Sequence, residues 1–160
     1  MLTVLFPGSF DPPTNGHLNI IERCAAIYDR VHVVIATNPA KHYSFTDTER
    51  FDMMVELVRP FDNVAVHHWN RLIVEFAQKV GARVMVRGVR ALADFNYEFE
   101  LSMLNKGLDP QIETIFLPTD PKYFVLRSSA IKELARLGGD ITAMVPGPIV
   151  DRVIDRFKEP

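Results

Sequence analysis

Short apolar runs alternate with amphipathic stretches along almost the whole chain, and no other feature limits the fold as much. Strand-like runs fall at residues 3–6, 31–36, 64–67, 83–86 and 113–117. Between them, apolar residues recur with helical spacing at 17–28, 48–58, 72–80 and 94–107, and again at 129–137 and 148–157. Strands that alternate with helices pair in parallel, because each return path crosses a face of the sheet and covers it. The pattern predicts an α/β fold: one doubly wound domain over residues 1–160 with a five-stranded parallel sheet. Thr46-Asp47-Thr48-Glu49 reads as a capping box, and Asp94 and Ser128 are candidate N-caps.

A chain of 160 residues can bury one real core. The net charge of −2, with no run of Lys or Arg, exerts no general pull on nucleic acid or an anionic membrane. The single cysteine, Cys24, excludes an internal disulfide framework and a multi-cysteine zinc site, and it suits a reducing compartment. The start Met1-Leu2-Thr3-Val4 lacks the charged segment of a secretory signal, and no apolar run is long enough to span a membrane. A cytoplasmic location is the expectation. Cys24 shares an apolar helical face with Ile21 and Tyr28 and reads as core. His67 and His68 are strand neighbours on opposite faces and make poor joint metal ligands. The Phe and Met residues read as packing. No cluster has metal-ligand spacing, so no protein-held metal is expected.

In open parallel sheets, ligands bind beyond the carboxyl ends of the strands, near the switch point of the strand order. The loops following the strands hold the unusual chemistry. In Ser9-Phe10-Asp11-Pro12-Pro13-Thr14-Asn15-Gly16-His17 the prolines stiffen the loop, while Ser9 and Asp11 also suit an ordinary turn. His17 falls at a helix start, where the dipole disfavours an imidazolium. A neutral imidazole can still donate to a phosphate oxygen, and the free helix N–H groups favour the same anion. On position alone, a surface histidine in a first turn is an equal reading; Gly16, which admits a close ligand, tips the balance. Lys41 in Asn38-Pro39-Ala40-Lys41 is either a solvated loop lysine or a phosphate holder. In Arg87-Gly88-Val89-Arg90, two forked cations flank a glycine at a strand's end, which favours phosphate. Ser128-Ser129 opens a helix and serves either as a routine cap or as a polyphosphate contact. Neither a Walker sequence nor G-x-G-x-x-G is present.

Together these segments resemble a known family. Residues 9–17 are similar to the (T/H)xGH signature of the nucleotidyltransferase superfamily. Arg87-Gly88-Val89-Arg90-Ala91 with Asp94-Phe95-Asn96-Tyr97-Glu98 resembles the RGLR…DFxYE segment of the bacterial phosphopantetheine adenylyltransferases. Asn38-Pro39-Ala40-Lys41 and Ser128-Ser129-Ala130-Ile131-Lys132-Glu133 match that family's lysine loop and serine motif, in order, over nearly the whole chain. Arg127 stands where the family usually has a third small hydroxyl residue.

The resemblance implies a Rossmann-like domain that joins ATP to 4′-phosphopantetheine, releasing dephospho-coenzyme A and pyrophosphate. By matching position, His17, Lys41 and Arg90 would be catalytic. Ser9, Lys41, Ile73, Arg87, Leu104 and Asn105 would hold the acceptor. ATP would meet Ser9, Phe10, His17, Gly88, Val89, Arg90 and Glu98, under a loop formed by Tyr123, Phe124, Val125, Leu126, Arg127, Ser128 and Ser129. It further implies Mg²⁺ entering with ATP, a homohexamer, and inhibition by coenzyme A. A phosphate monoester is already a nucleophile, so such a site needs positioning and charge stabilisation rather than an acid–base dyad. Two rival readings stay open: a transferase acting on another phosphate such as nicotinate mononucleotide, and a non-catalytic sensor of nucleotide or coenzyme A.

Overall fold

The computed structural model describes residues 1–158. Residues 159 and 160, the end of the expected 1–160 domain, lie outside the described residues. Five strands form one parallel sheet: β1 (Thr3–Gly8), β2 (Arg30–Ala36), β3 (Val64–Trp69), β4 (Val84–Val89) and β5 (Glu113–Pro118), in the order β3-β2-β1-β4-β5. The chain winds outward from β1 through β2 to β3. It then returns to the other side of β1 for β4 and β5, so the switch point lies between β1 and β4. The helices are α1 (Asn15–Ile27), α2 (Asp47–Val58), α3 (Ile73–Val80), α4 (Leu92–Leu108), α5 (Ser128–Arg136) and α6 (Val150–Phe157).

Alternation within the strands sends side chains to two cores. Val4, Phe6, Val31, Val33 and Ile35 meet Ile20, Ile21 and Cys24 of α1 and Met53 and Met54 of α2. Leu5, Val34 and Met85 face Val74, Phe76 and Ala77 of α3 on the other side. β2 is buried on both faces, as an inner parallel strand must be. Cys24 is fully buried, and burial pushes its thiol up to about 11.

Pro7 shapes the switch point. The β1–β2 ladder runs to Gly8, but β1 and β4 pair only at Val4 with Val84 and Leu5 with Met85. Pro7 has no N–H to continue that second ladder. Its carbonyl instead accepts from Arg87 Nη1 at 2.8 Å. The carboxyl ends of β1 and β4 therefore part, with an arginine across the gap.

Three expectations change. α4 has Ala91 at its N-cap with no side-chain cap, and Asp94 sits in the first turn, paired with Arg90 at 3.0 Å. Ser128 is the first residue of α5, not its cap; its hydroxyl donates to the Pro12 carbonyl at 3.0 Å. The aromatic and Met residues are not all packing, since Phe99, Met103 and Phe124 are exposed. The Thr46–Glu49 capping box is present as expected.

Candidate active site

A cavity of about 420 Å³ opens where β1 and β4 part. Its lining comes from the β1–α1 loop, the β2–α2 loop, the end of β4, one face of α4 and the start of α5. An adjoining recess of about 320 Å³ shares Ser9, His17, Lys41 and Ser128 with it and adds His42 and Lys132. Loops that are remote in sequence meet here because every strand delivers its carboxyl end to the same edge of the sheet.

His17 is set by its own helix cap. Thr14 is the N-cap of α1 and its hydroxyl accepts from the His17 N–H at 3.2 Å. The Thr14 N–H donates back to His17 Nδ1 at 3.1 Å. An imidazole that accepts at Nδ1 carries its proton on Nε2 when neutral, so the ring presents a donor. Burial, then the charges of Arg90 and Arg87, push this histidine down to about 4. The expected neutrality is there, and burial among cations is what produces it. The ring also meets Phe10 edge-on, 5.0 Å between centroids. Phe10 itself takes φ +49° and folds back over Gly8. A Cβ on Gly8 would fall 2.9 Å from the Phe10 ring, so this turn requires glycine there.

Both site arginines are anchored. Arg87 pairs with Glu98 of α4 while donating to Pro7. Arg90 pairs with Asp94 and donates to the Leu126 carbonyl. Each guanidinium has more donors than these contacts use, so both can face an anion from a fixed position. Lys41 is exposed and has no hydrogen bond or ion pair from its ammonium among the described residues. Asp11 is committed elsewhere: it is 5 % exposed, accepts from the Ser44 and Phe45 N–H groups, and pairs with Lys132.

The structure brings many of the sequence-selected residues together. Ser9, Phe10, His17, Lys41, Ile73, Arg87, Gly88, Arg90, Glu98, Asn105, Leu126 and Ser128 line the cavity. Val89, Leu104, Tyr123, Phe124, Val125, Arg127 and Ser129 do not line it; Leu104, Phe124 and Val125 are more than half exposed. Sequence reasoning passed over Thr14 as an orienting residue, although a hydroxyl three places before a helix-start histidine was a readable cap signal. The loops at 38–43 and 119–129 follow strands and are expected near a ligand, and Tyr43 and Thr119 at their ends line the cavity; Leu101, which helical spacing assigns to core, lines it too.

Cationic and hydroxyl donors thus gather beyond the switch point of an open parallel sheet, where folds of this class bind ligands. The chain matches the cytidylyltransferase-like family over residues 5–134. It is 42% identical to the phosphopantetheine adenylyltransferase of Caldanaerobacter subterraneus subsp. tengcongensis, over 99% of each chain. It is 43% identical to that of Desulforudis audaxviator, over 98% of this chain and 96% of the relative. The fold is shared with the crystal structure of a nicotinate-nucleotide adenylyltransferase candidate from Vibrio parahaemolyticus. That match has a TM-score of 0.70 at 16% identity and covers 99% of this chain and 98% of the other. The chain belongs to the phosphopantetheine adenylyltransferase family.

Proposed function

We propose that this chain, as one catalytic domain, transfers the adenylyl group of ATP to 4′-phosphopantetheine, giving dephospho-coenzyme A and pyrophosphate in coenzyme A biosynthesis. The observation that carries the chemistry is the ring of His17 Nε2–H, Lys41, Arg87 and Arg90 around one cavity, with its carboxylates already paired to cations. The acceptor phosphate attacks the α-phosphate of ATP without a general base. Lys41 and Arg87, with Ser9, hold the acceptor in line; Ile73 and Asn105 flank its arm. Arg90, Gly88 and the Ser128 end of α5 hold the polyphosphate. His17 donates to the charge that builds on the transferring phosphoryl oxygens.

Mg²⁺ enters as the companion of ATP, with phosphate oxygens as its ligands. The protein groups do not fit a metal seat: Asp11, Asp94 and Glu98 are each committed to a cation. Among the described residues, no group of three or more His, Cys, Asp or Glu is placed to hold an ion. The working unit is a homohexamer in the cytoplasm. Self-association is supported by α4, which has no fully buried residue and exposes Phe99, Met103, Leu104 and Leu108. No helix of the described residues is long and apolar enough to cross a membrane. Coenzyme A, which carries the product's skeleton, competes for the cavity.

The test is turnover with ATP and Mg²⁺ against a panel of acceptors, read as pyrophosphate. Release with phosphopantetheine alone supports the proposal. Release with nicotinate mononucleotide instead, or binding of ATP without turnover, overturns it.

A further inference from the structure

Arg50 is fully buried and sits in the first turn of α2. Both placements are costly for a cation: burial removes its water, and the helix start carries positive partial charge. Its Nε has no partner among the described residues. Met53 and Met54 on the same helix show that an apolar side chain can fill neighbouring space. Its cost points to a role beyond packing.

What Arg50 gains is a set of contacts to the loops of the site. Nη1 donates to the Ser9 carbonyl at 2.7 Å. Nη2 donates to Thr37 Oγ1 at 3.1 Å and pairs with Asp47. The guanidinium carbon lies 4.0 Å from the centre of the Tyr43 ring. The Tyr43 hydroxyl accepts from the Asn38 N–H at 2.8 Å, and the Asn38 carbonyl accepts from the Lys41 N–H at 3.0 Å. One buried fork thus fixes Ser9 directly and the Lys41 turn through Tyr43. Asp47 balances the charge and is itself held by His68 Nε2 at 2.9 Å.

We infer that Arg50, which lines neither recess, is a positioning residue for the acceptor side of the site. The inference rests on the proposed function, which gives Ser9 and Lys41 to the acceptor. The groups given to the polyphosphate, Arg90 and Ser128, are anchored to Asp94, Leu126 and Pro12 instead. The fork is specific to arginine: a lysine ammonium can meet Ser9 or Asp47 but cannot span both and still stack on Tyr43.

The experiment is two-substrate kinetics on wild type, Arg50→Lys and Tyr43→Phe, each with a melting curve. Misplaced acceptor groups cost on the order of tenfold to hundredfold. For folded Arg50→Lys we expect that loss in kcat/KM for phosphopantetheine, with KM for ATP within about twofold of wild type. Unchanged kinetics, or equal loss for both substrates, overturns the inference. Should Arg50→Lys fail to fold, Tyr43→Phe decides. It keeps the ring over Arg50 and removes only the hydroxyl that holds Asn38. A severalfold rise in acceptor KM at unchanged melting supports the inference, and an unchanged KM overturns it. A wild type that turns over a different phosphate acceptor defeats the functional reading alone, and the same comparison is then made with that acceptor.

Discussion

The β1–α1 loop and helix α4 form facing walls of one cavity, and they are held in different ways. The loop is fixed by polar contacts, most of them to other segments of the chain. Asp11 takes the Ser44 and Phe45 N–H groups and Lys132, Ser128 holds the Pro12 carbonyl, and Thr14 and His17 cap one another. Asp11, Thr14 and the Pro12 carbonyl are bonded before any ligand arrives, which fixes the free Nε2–H of His17 for charge that exists only in the transition state. Helix α4 spans 17 residues and buries none of them fully. It is tied to the site by ion pairs at its cavity face, Arg87 with Glu98 and Arg90 with Asp94, while large apolar side chains face outward. One wall is held by contacts within the chain, and the outer face of the other is left apolar and exposed. Changes in the loop should therefore act on chemistry, and changes on the outer face of α4 on assembly.

The largest effect is expected at His17. Its ring borders the cavity and its loss leaves the strands untouched, so His17→Ala should fold, with melting lowered by the lost bond to the Thr14 N–H. Loss of a preorganised donor is worth on the order of 10²–10³ in kcat, with ATP affinity changed far less. Near-normal turnover in a folded variant would break the assignment of chemistry to the loop wall. The pH dependence sharpens it. With the folded imidazole lowered to about 4 against 6.5 when free, the unfolded chain binds more protons between those values. Stability gained from the neutral ring is thus complete above pH 6.5 and is lost as pH falls toward 4. An NMR titration of the ligand-free protein should show His17 as the Nε2–H tautomer at neutral pH and midway to protonation near 4. A midpoint near 6.5 would mean that the ring is not enclosed by protein and cations as described.

Next come the two arginines that join the walls. Arg87→Ala should raise KM chiefly for phosphopantetheine, and Arg90→Ala chiefly for ATP, each by roughly tenfold or more if a charge-assisted contact is lost. Titrations in which both variants lose the same ligand equally would erase the division between acceptor and nucleotide sides. Smaller in its effect on catalysis is Met103→Glu, on the exposed apolar face of α4. A charge there should reduce assembly size in sedimentation while the melting of the monomer hardly moves, because no core contact is removed. Unchanged sedimentation would show that this face is not the interface.

The sheet was legible because each strand is an apolar run bounded by turn residues, and the parallel order follows from the helices between them. The strand ends were less so. Residues 3–6 read as a strand stopped by Pro7, whereas β1 runs on to Gly8. Proline is tolerated because its missing N–H faces β4, where the ladder has already ended, and a one-dimensional pattern cannot show which side of a strand is unpaired. The cation-bearing motifs announced most of the site. Asp11 reads as a turn residue, and Arg50 carries no motif at all, until their long-range partners are seen. Phe99 and Met103 of α4 read as packing, because helical spacing is the same whether or not the chain itself covers that face.

The smallest effect is expected at Arg127, at the border between the two walls. It is the N-cap of α5, is exposed, makes no side-chain cap bond, and lies outside the cavity lining. A cation at a helix start opposes the dipole, and a serine there can accept from the free N–H groups that arginine leaves unbonded. Arg127→Ser should therefore stabilise the protein by about 0.5–1 kcal/mol, a rise of roughly 1–4 °C in Tm for a chain of this size. ATP affinity and its salt dependence should not change, because no phosphate contact is lost. The alternative is that the guanidinium swings over bound ATP. It requires weaker ATP binding in the variant and a shallower dependence of that binding on salt. Calorimetry at two salt concentrations separates the outcomes. Weaker binding would place the β5–α5 loop among the groups that act on ligand, and unchanged binding would leave polyphosphate capture to Arg90 and the serine end of α5.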